Sequence, residues 1–442
     1  MTSELRRTIG PVQATAMVVG TIIGASIFVQ PSVVTGAVPS VGGIYLVWVI
    51  AGVLTLAGSL IAAELASAFP RTGGVYVFLT EAYSPALGFL WGWAMFWTMH
   101  TGIIAAIAMV FARYVGFFLA VGDAGLRLLA IAAVALLSVV NYFGVRQGSA
   151  VQTAFTLGKV AAVAIVIAIA FLLGPRQPVG APPEAHVSVA SVLLAVAAGL
   201  FAFGGWHMVT YAAGETVEPR RTIPRALLIG TLVVTACYVL LNAAYLHVLP
   251  LRTVIGSNRV AADAADAVLG NGGGAVMSAL VAVSSFGALS GIVLAGPRAY
   301  LAMAADGLLF RWTGEVHPRY RTPARAILLQ GAWAAFLLAT GSYQALVARV
   351  VYTEWIFFAL MAIGLLLLRR RRNYAPAYRA PLYPLLSLGF ATAALVVVGY
   401  QIAARPLEST TGLLLVVAGW PIYHLWARRA GRAPSPLLGH GD

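Results

Sequence analysis

Between residues 13 and 427 the chain is a nearly unbroken succession of apolar runs, and that succession limits the fold more than any motif does. A helix needs about 20 residues to cross the hydrocarbon of a bilayer. Hydropathy places such segments near 13–36, 42–68, 86–118, 125–142, 150–174, 189–213, 224–249, 274–301, 324–341, 345–368, 383–404 and 409–427. Lipid offers the backbone no hydrogen-bond partner, so spans of this length and pattern are helices. The expectation is an all-α membrane protein with about twelve transmembrane helices. With 60% hydrophobic and 10% charged residues, the chain is too apolar for a soluble globular protein. Its longest polar connections, 174–188 and 250–273, are too short to bury a core of their own, so residues 1–442 read as a single polytopic domain. Arg6 and Arg7 precede a full-length apolar segment with no small-residue cleavage site, so no signal peptide is expected.

The net charge of +14 marks topology rather than a nucleic-acid partner. Twelve spans put both termini on one side. Twenty of the 28 basic residues fall on that side, among them Arg71, Arg220, Arg221 and the run Arg369 to Arg372. Six fall on the other, namely Arg127, Arg176, Arg252, Arg259, Arg349 and Arg405, and Arg113 and Lys159 lie within spans. The positive-inside rule then expects both termini in the cytoplasm of a cell (inner) membrane protein. The arginine run reads as a topology anchor ahead of an anionic-lipid site. Cys237 is the one cysteine and the seven histidines show no ligand spacing, so neither a disulfide, a metal nor a cofactor is expected.

Two spans are interrupted. The first contains Gly20-Thr21-Ile22-Ile23-Gly24-Ala25-Ser26-Ile27-Phe28, which sets helix-weakening glycines at mid-membrane depth. Unwound backbone is tolerated there only where protein buries it or a cavity receives it. Beyond a break at Gly24, the amides of Ala25, Ser26 and Ile27 open a half-helix whose positive end suits a carboxylate. The carbonyls of Thr21, Ile22 and Ile23 suit an ammonium. The alternative is that the glycines only let a neighbouring helix approach. The sixth span repeats the signal in Gly199-Leu200-Phe201-Ala202-Phe203-Gly204-Gly205-Trp206-His207. Matched breaks in corresponding spans of two halves point to a mid-membrane binding site. Phe201, Ala202 and Phe203 then offer carbonyls to the ammonium and the Phe201 ring covers it. Gly204 opens the second break.

Lys159, the only lysine, lies nine residues into the fifth span, about 13 Å from its cytoplasmic end. That is too deep for easy snorkelling, so it is expected to face the bundle interior and to hydrogen-bond to the freed carbonyls of a broken helix. Glu64, one or two turns from the cytoplasmic end, can reach water or a basic partner and reads as a structural acid ahead of a proton carrier. Val75 to Tyr83 reads as a short interfacial helix with Glu81 on it. His100 reads as a satisfied polar group ahead of a proton relay. Glu215 to Arg225 forms a charged cytoplasmic turn. Glu354 is placed near the outer end of the tenth span as a water-facing carboxylate.

Gly20-Thr21-Ile22-Ile23-Gly24, Ala63-Glu64-Leu65 with Pro70 and Gly73-Gly74-Val75-Tyr76, Val151-Gln152 with Lys159, and the sixth-span motif together resemble the L-type amino acid transporters. So do Ser285-Phe286-Gly287-Ala288-Leu289, Gly296-Pro297-Arg298, Asp306-Gly307-Leu308 and His317-Pro318-Arg319-Tyr320-Arg321-Thr322-Pro323. These transporters belong to the amino acid, polyamine and organocation superfamily. The resemblance implies a five-plus-five inverted repeat, 9–174 and 189–368, with two extra helices in 383–427. It also implies amino acid uptake or exchange by alternating access. Lys159 takes the place where sodium-coupled relatives bind sodium, as a fixed or a titrating cation.

Two departures refine this. The family has Ser-Gly where this chain has Ala25-Ser26, so a smaller pocket and small neutral amino acids are expected. His207 stands where the family often has Asn. Animal members join a heavy-chain glycoprotein through a cysteine between spans three and four. Residues 122–126 contain none, so no such subunit is expected, and the protein works as a monomer or homodimer. A channel needs rings of charges or carbonyls, and a membrane enzyme needs an acid–base or metal set; the sequence offers neither. The expectation is a sodium-independent exchanger, with proton symport and an amino acid sensor of the same fold as the alternatives.

Overall fold

The computed structural model describes residues 7–143, 149–175, 187–270, 272–309, 312, 314–320, 322–341, 343–404 and 406–429. Arg321, the side chains of Val151 and Gln152 and the tail from Ala433 lie outside them. Helix α1 (Pro11–Ile22) stops short, a single turn follows at Ser26–Phe28, and α2 (Gln30–Ala37) carries the first span onward. The second span is α3 (Val41–Ala68), followed by the short α4 (Val75–Ala82). Helices α5 (Pro85–Ala94) and α6 (His100–Leu119) form the third span through a widened turn at Met95–Met99. Next come α7 (Asp123–Tyr142) and α8 (Ser149–Leu173).

The second half opens with α9 (Val189–Ala202), continued by a tight helical segment, Trp206–Glu215. Then come α10 (Pro219–Val248) and two short helices, α11 (Leu251–Gly256) and α12 (Val260–Leu269). They are followed by α13 (Gly273–Ala305), α14 (Ala324–Thr340) and α15 (Tyr343–Leu368). Helices α16 (Leu385–Ala404), α17 (Pro406–Val417) and α18 (Gly419–Arg429) close the chain. Ten passes are long and apolar enough to cross a membrane, and α1 and α14 are shorter apolar helices, which recovers the twelve segments. Serines set the starts: Ser40 accepts from the Gly43 amide (3.2 Å), Ser84 from Leu87 and Ser188 from Ser191.

The contacts show how the halves relate. Helix α1 packs on α10 as α9 packs on α3, and α1 packs on α8 as α9 packs on α15. Pairs that map onto themselves are also in contact: α3 with α10, α6 with α13, and α7 with α14. Exchanging each helix of one half for its counterpart preserves the set, as a five-plus-five repeat requires. The two interrupted helices meet at its centre, where α1 touches the Trp206–Glu215 segment.

Motifs at one end of the bundle act as fasteners. Glu64 is fully buried and accepts from Arg369 Nε at 2.8 Å and from the Ala380 amide at 2.7 Å. Arg369 also lies over the Tyr383 ring, 4.1 Å from its centroid. The hydrogen bonds it donates to the Glu64 carboxylate hold this guanidinium more firmly charged, raising its pKa above its ordinary value. Arg371 donates to the carbonyls of Glu81 and Ala82, capping α4. Two of the four clustered arginines therefore fasten the fold at this end. The α4 segment differs from the interfacial helix expected: Val75 to Leu79 are buried, because α5 and α15 cover it. Its Tyr76 hydroxyl donates to Asp306 and Arg71 pairs with Glu81.

Candidate functional site

Both predicted breaks are present and face each other. In the first, Ile23 leaves the helix with ψ 75° and the Gly24 amide folds back onto the Ile22 carbonyl at 2.7 Å. No described residue accepts from the amides of Ala25, Ser26 or Ile27. In the second, α9 ends at Ala202, Gly204 donates to the Phe201 carbonyl at 3.0 Å, and Gly205 turns left-handed at φ 95°.

The glycines have different tasks. A Cβ on Gly20 would lie 2.3 Å from Thr156 Oγ1, so Gly20 serves the close approach of α8. A Cβ on Gly24 would meet nothing nearer than 3.8 Å, so packing does not require that glycine. Gly205 needs its positive φ, and a Cβ there would lie 3.1 Å from the Thr21 carbonyl oxygen. Thr21 Oγ1 also lies 3.2 Å from the Gly205 carbonyl, though its one proton serves the Met17 carbonyl at 2.7 Å. The breaks are thus locked by close packing.

Tyr238 on α10 ties them a second time. Its buried hydroxyl lies 2.8 Å from the Ile22 carbonyl and 3.0 Å from the Ala202 carbonyl. Two of the carbonyls assigned from sequence to an ammonium share this one hydroxyl proton. No sequence signal marks Tyr238, because only the fold brings residues 22, 202 and 238 together.

A small cavity of about 20 Å³ lies between the breaks, lined by Thr21, Ile22, Gly24, Ser26, Phe201, Ala202 and Gly204 among the residues predicted. Such a space suits about one water molecule, so a larger guest needs its walls to part. Ile23, Ala25, Ile27, Phe203 and His207 are buried outside this lining. His207 sits among Trp91, Trp206, Tyr211 and Phe358. Residues the sequence reading did not select also line the cavity, notably Ile103, Ile107, Trp355 and Glu354. Glu354 corrects an expectation. It lies near the middle of α15 and is 6% exposed, not water-facing at an outer end. The helix starts at residue 343, which sets position 354 three turns deep.

Lys159 lies on α8, partly buried, in a second and larger cavity of about 410 Å³ with Ile23 and Phe28 of the first break, Leu241 of α10 and Ser284 of α13. No described residue hydrogen-bonds or ion-pairs with it. His100 is a satisfied group: its Nε2 donates to the Ile292 carbonyl at 2.8 Å. Gln330 Nε2 donates to the neighbouring Val293 carbonyl at 2.6 Å. That carbonyl is free because Pro297, four residues on, lacks an amide hydrogen.

Comparison with known proteins decides the family. A family model described as amino acid permease matches residues 9–420. The chain belongs to the amino acid permease family. It is 32% identical over 430 residues to the serine/threonine exchanger SteT of Bacillus subtilis, covering 96% of this chain and 98% of that protein. It is likewise 32% identical to Asc-type amino acid transporter 1 of Mus musculus, over 95% of this chain and 81% of that protein. For the b(0,+)-type amino acid transporter 1 of Homo sapiens the identity is 32% over 84% and 78%. This permease is therefore a multi-pass membrane protein of amino acid transport, not an enzyme, as its resemblance to L-type transporters implied.

Proposed function

We propose that this permease is a sodium-independent exchanger of small neutral L-amino acids that works by alternating access. The observation that carries the reading is the set of three amides, Ala25 to Ile27, that hold no acceptor among the described residues, beside a cavity shared by both breaks. Three adjacent N–H groups in a dry site suit a carboxylate. The narrow cavity and Ser26 in its lining support small side chains. Lys159 lies beside the first break and next to α13, where a fixed cation makes bound sodium unnecessary. The residues bound to substrate are then Thr21, Ile22, Gly24, Ser26, Phe201, Ala202 and Gly204. Ile23, Ala25, Ile27, Phe203 and His207 shape the site from behind.

The relative named a serine/threonine exchanger supports both exchange and small substrates. The residue repeats are 9–174 and 189–368, and both termini face the cytoplasm of a cell membrane protein. With no cysteine in residues 122–126, the permease works without a disulfide-linked glycoprotein partner. Proton symport is the second reading. It rests on Lys159, which has no ion pair among the described residues and so is a candidate proton carrier.

Reconstitution tests this. Uptake of labelled alanine or serine into liposomes should require internal amino acid and ignore sodium. Uptake that needs an imposed pH gradient and no internal substrate favours symport. Binding without any flux favours a sensor. Lys159→Ala should cut exchange at least tenfold, and full exchange by that variant removes Lys159 from either role.

A further inference from the structure

We propose that the cavity around Lys159 is a binding site for a long-chain carboxylic acid that enters from the lipid, its carboxylate on the Lys159 ammonium and its tail along α8 and α13. The site is separate from the space between the breaks, and the inference does not depend on the exchanger reading.

Three observations lead to it. The cavity, at about 410 Å³, has an ordinary size for a small-molecule site, and buried Val163, Leu241, Met277 and Val281 make its depth apolar. Two polar groups interrupt that wall, and both are unengaged. Lys159 has neither a hydrogen bond nor an ion pair among the described residues, and Ser284 Oγ is buried with no partner among them. No acid is among the described residues that line the cavity. Finally, the cavity opens on the outside of the bundle. Leu280 and Val283 on its rim are 48% and 61% exposed, and a Cβ on Gly158 would meet nothing within 4 Å. In a membrane protein such a mouth faces lipid.

The chemistry of the occupant follows from these walls. Lys159 stands ten residues into α8, about 15 Å along the helix, at a depth where an unpaired charge is costly. An anion that brings its own apolar body relieves that cost, because charge-assisted hydrogen bonds form away from water. A carboxylate has two acceptor oxygens, one for Lys159 Nζ and one for Ser284 Oγ. A phospholipid is a poorer match. Its phosphate is held at the membrane surface, about 15 Å from the middle of the hydrocarbon, whereas a free acid has no glycerol or headgroup and can follow its tail inward. A neutral hydrocarbon tail would cover the apolar wall and leave both donors unpaired. The protein supplies no acid in its place: Glu354 lines the space between the breaks, and Glu64, Glu81 and Glu215 are paired with arginines.

The test uses the full-length permease in phosphatidylcholine nanodiscs, with radiolabelled laurate as the probe and protein-free nanodiscs as the blank. Laurate should bind saturably. Methyl laurate keeps the tail and loses the charge, and should compete at least about 30-fold more weakly, the effect of removing one partner of a buried charge pair. Lys159→Met keeps the side-chain length without the charge and should weaken laurate by a similar factor, while Lys159→Arg should retain binding. Ala162→Phe, at the centre of the α8 wall, should fill the cavity and abolish binding at an unchanged melting temperature. Laurate carrying a diazirine in its tail should label peptides within 158–166 or 277–284 on illumination. Equal competition by laurate and methyl laurate overturns the proposal, as do full binding by Lys159→Met and complete loss in Lys159→Arg. Labelling spread over other exposed apolar faces also overturns it, because that pattern reports tail solvation alone. Should Ala162→Phe fail to fold, Lys159→Met and the labelling decide.

Discussion

Replacing Gly205 by alanine probes the lock between the two breaks, and Gly24→Ala is its matched control. Gly205 has φ 95° and ψ −8°, where an L side chain costs about 1–2 kcal/mol. Its Cβ would stand 3.1 Å from the Thr21 carbonyl oxygen, so the breaks must separate by a few tenths of an ångström. That movement also lengthens the 3.2 Å contact of Thr21 Oγ1 with Gly205 O, a minor share of a proton held by Met17 O at 2.7 Å, and forfeits at most a fraction of the ~1 kcal/mol a full bond contributes. The total is about 1–3 kcal/mol. Gly24 has no left-handed backbone and no neighbour within 3.8 Å of its Cβ, so alanine there leaves stability unchanged or adds about 0.4–1 kcal/mol. Its methyl does, however, sit at the cavity wall, and amino acid affinity should fall. Thermal unfolding in detergent, followed by tryptophan fluorescence, reads the first effect, and equilibrium binding reads the second. Equal melting of Gly205→Ala and wild type refutes the lock. A Gly24→Ala protein that loses as much stability as Gly205→Ala refutes the division of tasks between the glycines.

Two further substitutions test the supports of the site. Tyr238→Phe strips the one hydroxyl proton shared by Ile22 O and Ala202 O and should cost about 1–3 kcal/mol, read as a lower melting temperature at unchanged helix content by circular dichroism; an unaltered melt argues against the tie. Glu64→Ala should cost about 3 kcal/mol, near the lower end for breaking a buried pair, since Arg369 retains 14% exposure and regains water readily. In a double-mutant cycle Arg369→Ala should add little to Glu64→Ala, and fully additive losses contradict the pairing.

What the sequence determined here follows from lipid being a poor solvent for the backbone. Twelve apolar segments and two interrupted spans were readable because each is a local property of a run of about 20 residues. The break at Gly204-Gly205 was legible for the same reason, since only glycine adopts its left-handed turn without strain. Glu64 and Lys159 announced themselves as ions in apolar surroundings.

The tertiary structure alone decided which groups share a space. Tyr238 reaches carbonyls 216 and 36 residues away in the chain, and nothing in its neighbours foretells that. Glu354 was seen as an acid within a span, yet its depth and the direction it faces depend on where α15 begins and on what packs against α9. His207 looked like a site residue by its place after the glycines, but a tight helical segment turns it into an aromatic nest. Hydropathy reports one-dimensional cost, and long-range packing chooses which polar atoms meet, because contacts between distant segments are set by the helix pairings as a whole.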